Sequence, residues 1–61
     1  MNKLKYYRER SGLTLLELSK KTGIAESSIS RAERGLMDLN GQTWKVLAEE
    51  LGCTIDELLN K

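Results

Sequence analysis

The 61-residue chain contains no histidine and no proline, and it has a single cysteine, Cys53. Without histidine it has neither an imidazole base for nucleophilic catalysis nor the mixed ligand set of a structural zinc site, and one thiol cannot close an internal disulfide. A reducing, cytoplasmic setting is therefore expected, and no metal or other cofactor is implied. No apolar run approaches the roughly 20 residues that a membrane helix needs, and the first residues lack the pattern of a secretory signal. A soluble chain with no membrane partner is expected. Serines are present, but there is no Gly-rich phosphate loop after a strand, so neither an enzyme nor a small-molecule substrate is expected. With proline absent, the strong punctuation along the chain falls to its five glycines.

Sixty-one residues make one expected domain, 1–61, and a domain this small buries only about 60% of the surface its unfolded chain exposes. Its core has to be compact, and the pattern is all-α: five short helices and no strands. The first is expected from Lys3 to Arg10 with Leu4 and Tyr7 inward, ended by Ser11 and Gly12. Thr14 and Glu17 form a capping box at the start of the second, since a threonine oxygen can take the third helical amide while the glutamate reaches back. Gly23 suits the left-handed conformation that closes that helix. The third follows and ends at Gly35. Asn40 reads as the N-cap of the fourth, whose Trp44, Leu47, Ala48 and Leu51 keep an i, i+3, i+4, i+7 stripe until Gly52. Thr54 and Glu57 repeat the capping box for the fifth, which offers Ile55, Leu58 and Leu59 to the core.

The stretch TLLELSKKTGIAESSISRAERG, residues 14–35, carries the functional signal. It holds two short amphipathic helices joined by a glycine turn, at the spacing of a DNA-reading helix-turn-helix. Ile29 and Ala32 give the later helix a buried face, while Ser27, Ser30, Arg31 and Arg34 line the other side. Ser19 falls where the two helices should cross, and its small side chain allows close approach. The net charge of +1 and pI near 7.9 are low for a nucleic-acid binder. The charge is unevenly placed, however. Residues 1–34 carry eight Lys/Arg and four Asp/Glu, a net of +4, whereas residues 35–61 carry two and five, a net of −3. Such a dipolar layout orients the domain on phosphate but predicts modest non-specific affinity and a shallow salt dependence.

Across Leu4 to Leu59 the residues resemble the Cro-type phage-repressor family of helix-turn-helix regulators. The resemblance rests on Arg8, Gly12-Leu13-Thr14, Leu18-Ser19, Gly23-Ile24, Ile29, Glu33-Arg34-Gly35, Leu47-Ala48 and Leu51-Gly52. It implies a compact five-helix phage-repressor-like DNA-binding domain, in which the third helix lies in the major groove and a homodimer reads a palindromic operator on double-stranded DNA. A small repressor of prokaryotic or phage type is the function implied. The resemblance further implies that Arg8 and Glu33 pair to tie the first helix to the end of the third. It puts Ala25, Glu26, Ser27, Ser30 and Arg31 toward the bases, Thr14, Leu15, Lys21, Ser28 and Asn40 toward the phosphates, and the dimer contact near Thr54, Ile55 and Glu57.

Chemistry favours some of these roles. Arg31 can donate bidentately to guanine O6 and N7, or it can be a solvated charge that suits a helix C-terminal end. Glu26 suits a helix start, yet facing DNA it must accept from a cytosine amino group or be repelled, so its role stays open. Five positions depart from the family pattern. Leu15 stands where a glutamine commonly touches phosphate, Ala25 replaces a hydroxyl N-cap at a cost of about 1 kcal/mol unless Ser27 or Ser28 compensates, and Leu36, Met37 and Leu39 occupy a loop that is often polar. Leu15, Leu16, Leu36, Met37 and Leu39 form either an exposed interface patch or a satellite cluster under the loop. The patch is the reason for a second reading, a protein-interaction module such as an antirepressor or adaptor on the same fold.

Overall fold

The computed structural model describes residues 2–60, so the two ends of the expected 1–61 domain, Met1 and Lys61, lie outside the described residues. Five helices are observed: α1 (Leu4–Arg10), α2 (Leu15–Thr22), α3 (Glu26–Glu33), α4 (Gly41–Leu51) and α5 (Ile55–Leu59), with no strand among the described residues. The helix starts follow the side chains that can take their free amides. Thr14 and Thr54 each form a complete capping box, and Asn40 Oδ1 accepts the Thr43 N–H at 2.8 Å. Gly23 and Gly52 close α2 and α4 with φ of 77° and 69°, where a side chain would be strained. α1 starts one residue later than expected, because Lys3 flanks it without capping it and the oxygen that accepts the Leu4 N–H is Asn2 Oδ1, at 3.0 Å.

Leu4, Leu18, Ile29, Leu47 and Leu58 are the largest fully buried side chains, and Ala32, Trp44, Ala48 and Leu51 complete the core. Each helix thus contributes to one cluster: α2 packs on α3 and α4, α1 on α3 and α5, and α4 on α5. The result spans 26 × 22 × 19 Å. Tyr7, Ile55 and Leu59, read as inward, are half-buried and pack against the edge of this cluster. Trp44 is buried whole, with an indole N–H that finds no partner among the described residues. A lost hydrogen bond of that kind costs about 1–3 kcal/mol, which burial of roughly 150–250 Å² of ring surface offsets.

Candidate nucleic-acid interface

The turn between α2 and α3 is held by side chains from α2. Ser19 Oγ donates to the Ile24 carbonyl at 2.6 Å, and Thr22 Oγ1 donates to the Leu18 carbonyl at 2.8 Å and accepts the Ile24 N–H at 3.3 Å. Ser19 is therefore more than a small residue at a crossing: its hydroxyl pins the turn that aims α3. At the other end of α2, Thr14 Oγ1 accepts the Glu17 N–H at 3.1 Å and Glu17 Oε1 accepts the Thr14 N–H at 2.9 Å. These two bonds, with Lys21 nearby, hold the Glu17 carboxyl below its ordinary pKa.

On α3, Ile29 and Ala32 are fully buried and anchor the helix from beneath. On its other side Glu26, Ser27 and Arg31 are exposed, as is Ala25 just before the helix, while Ser28 and Ser30 are half-buried. Among the described residues, the side chains of Glu26, Ser27, Ser28, Ser30 and Arg31 make no intramolecular hydrogen bond or ion pair. Ala25 gives α3 no side-chain cap, and neither Ser27 nor Ser28 compensates. The face thus presents a donor-only guanidinium, an acceptor-only carboxylate and adaptable hydroxyls, none of them satisfied internally.

The far end of α3 is tied down. Arg8 and Glu33, each 8% exposed, pair through Nε to Oε2 at 2.5 Å and Nη2 to Oε1 at 3.3 Å, and Arg8 Nη1 also donates to the Leu13 carbonyl at 2.9 Å. The bond to Glu33 keeps the guanidinium even more firmly protonated than usual. Asn2 adds a tie that the sequence reading missed. Its Nδ2 donates to the Ala32 carbonyl at 2.7 Å while its Oδ1 caps α1. Asparagine just ahead of a helix was a visible signal for the cap, but nothing local pointed to a residue 30 positions away.

The remaining positions differ in what they have free. Thr14 and Lys21 are exposed, although the Thr14 hydroxyl already caps α2. Leu15 is half-buried and packs against the core, so its side chain offers phosphate no hydrogen bond. Asn40 uses its oxygen as the α4 cap, which leaves its side-chain amide to donate outward. The apolar loop splits. Leu39 joins Leu15 against the core, whereas Leu36 (67%), Leu16 (50%) and Met37 (39%) are exposed. Near α5, Thr54 and Glu57 are exposed but engaged with each other, and Glu57 Oε2 accepts the Tyr7 hydroxyl at 3.4 Å. Those bonds lower the Glu57 pKa, while partial burial and then the Glu57 charge raise those of Tyr7 and Cys53.

A profile described as Helix-turn-helix matches residues 4–58. The chain belongs to the helix-turn-helix family. It is 35% identical over 57 residues to an uncharacterized HTH-type transcriptional regulator of Methanocaldococcus jannaschii, covering 93% of this chain and 86% of that one. Among solved structures it is similar to the master regulator for biofilm formation SinR in complex with DNA. That match has 33% identity and a TM-score of 0.87, over 93% of this chain and 92% of the other. It is also similar to a structure of the SinR–SinI complex, at 32% identity and a TM-score of 0.89, where 97% of this chain covers 58% of its counterpart.

Proposed function

We propose that this helix-turn-helix protein is a DNA-binding transcriptional regulator, a small repressor that reads a palindromic operator as a homodimer with α3 in the major groove. The observation that carries the reading is the α3 face: Glu26, Ser27 and Arg31 exposed and without internal partners, over a helix fixed from beneath by Ile29 and Ala32. Support comes from SinR, a regulator of the same fold solved with DNA at 33% identity. Arg31 donates to guanine, Ser27 and Ser30 take base edges of either polarity, Ala25 offers only an apolar contact, and Glu26 accepts from cytosine. Lys21, Ser28, the Thr14 region and the Asn40 amide serve phosphate, with Leu15 contributing no more than its backbone N–H. The second protomer meets the first around Thr54, Ile55 and Glu57. With so few cations facing DNA, affinity falls gently with salt.

Selection of bound sequences from random duplex DNA, with the oligomeric state followed by sedimentation, tests this. Two related half-sites about one helical turn apart and a two-to-one complex are expected. Recovery of unrelated sequences would remove the regulator reading. The exposed side chains of Leu16, Leu36 and Met37 favour a second reading, a protein-interaction module on the same fold. Clean operator binding alongside a pull-down that captures no protein would eliminate it.

A further inference from the structure

We propose that Asn2, which faces no DNA in the arrangement above, is a positioning residue for base recognition, acting through the far end of α3; this rests on the reading of α3 as the DNA-contacting helix. Residues 2–4 strap three elements together. Asn2 Oδ1 accepts the Leu4 N–H at 3.0 Å, Asn2 Nδ2 donates to the Ala32 carbonyl at 2.7 Å, and the Lys3 N–H donates to the Leu58 carbonyl at 2.7 Å. Ala32 and Leu58 lie in the last turns of α3 and α5; the Ala32 carbonyl also accepts the Gly35 N–H at 3.1 Å and takes Asn2 on its second lone pair, while Lys3 supplies the donor that the Leu58 carbonyl lacks within its helix. The strap therefore joins the ends of α3 and α5 to the start of α1 and fixes how α1 sits between them.

The consequence follows from where α3 is held. Its start has no side-chain cap, so its orientation is set by the Ser19 bond to the turn, the buried Ile29 and Ala32, and two polar ties at the far end, Asn2 to Ala32 and Arg8 to Glu33. Eight residues at 1.5 Å rise make a rod about 12 Å long, and a 10° tilt about its far end carries the first turn through about 2 Å. Hydrogen bonds to base edges do not survive such a shift, whereas attraction to phosphate hardly changes. Loss of the Asn2 donor thus weakens discrimination between sequences more than it weakens binding to DNA as such.

Asn2→Asp tests this in the full chain, since it keeps an oxygen to cap α1 and replaces the donor with a carboxylate that the Ala32 carbonyl repels. Affinities for the selected operator and for a scrambled duplex are measured at one salt concentration, together with the thermal midpoint. The expected result is a three- to tenfold loss, in order of magnitude, of the operator-to-scrambled ratio, with scrambled-duplex affinity kept within about twofold. Asn2→Ser, whose shorter side chain keeps a hydroxyl but cannot span to Ala32, carries the same measurement if the aspartate variant does not fold, and the same loss is expected. An unchanged ratio in the folded variant, or equal losses on both duplexes, overturns the positioning role. If the parent protein itself shows no preference for any sequence, the α3 reading fails and this proposal falls with it; a discriminating parent beside an equally discriminating variant removes Asn2 alone.

Discussion

α2 and α3 are each eight residues long and are separated by the short turn Gly23-Ile24-Ala25, yet they are held in different ways. α2 is closed at both ends by its own neighbours: the Thr14–Glu17 box at the start and left-handed Gly23 at the stop. α3 begins after Ala25 with no cap; its far end is closed by left-handed Gly35, as α2 is by Gly23, but is also tied by Arg8 and Asn2, which lie 25 and 30 positions from their partners. The supporting helix is bounded by local signals at both ends, whereas the exposed one has a local signal only at its far end and takes its remaining ties from the rest of the fold. Such a division leaves the first turn of α3 with polar groups that no internal partner has claimed, which is what a helix that docks on an external surface requires.

The sharpest way to break this contrast is to cut the far-end tie. Arg8→Ala leaves Glu33 charged and nearly buried without its partner, and removal of one member of such a pair costs about 3–5 kcal/mol. At roughly 4–8 °C per kcal/mol for a domain of this size, a large drop in the thermal midpoint is expected. A midpoint within about 2 °C of the parent would mean that the pair is not what holds α3.

This contrast also sets what could be read from the chain. Capping boxes, glycine stops and helical apolar stripes act over three to seven residues, so all five helices and the buried residues Leu4, Ile29, Trp44, Leu47 and Leu58 were legible, and the observed helix bounds follow them closely. The Arg8–Glu33 pair spans 25 positions and came into view only through a family resemblance. The Asn2–Ala32 bond matched no local pattern and no family residue, so it stayed hidden. Ser19 was legible as a small residue at a helix crossing, but its bond to the Ile24 carbonyl depends on the shape of the turn, which residue types alone do not give. The apolar loop was ambiguous because both of its readings use the same residues. Only packing separates Leu15 and Leu39, which fold inward, from Leu16, Leu36 and Met37.

If the open face of α3 contacts bases, Arg31→Ala is silent in stability and costly in recognition. Discrimination is expected to relax at one base step by about 1–3 kcal/mol, read from competition between single-position variants of the operator. Lys21→Ala on α2 should instead weaken every sequence alike. A uniform loss from Arg31→Ala would demote that arginine to a phosphate contact and erase the distinction between the two helices. The caps sharpen the comparison from the other direction. Thr14→Ala is expected to destabilise by about 1 kcal/mol, and Ala25→Ser to stabilise by a similar amount, because it gives α3 the cap that it lacks. Urea midpoints moving the same way for both variants would show that the start of α3 is not open.

Acid should loosen the two helices differently. Glu17 and Glu57 accept amide hydrogen bonds from Thr14 and Thr54 and are held below their ordinary value of 4.5. A depressed folded pKa means that the charged form is the one the fold favours. The stability from both boxes is therefore fully present above about pH 4.5 and is lost as the pH falls through the lowered folded values. Both carboxylates are at the surface, so the effect is the smallest of those expected here. Glu17→Gln retains an acceptor for the Thr14 amide but removes the titration, and the fall in urea midpoint between about pH 5 and pH 3 should be shallower than in the parent. An identical acid slope would mean that the box at the start of α2 contributes no charge-dependent stability, and α2 would then depend on charge no more at its start than α3 does with its uncapped Ala25.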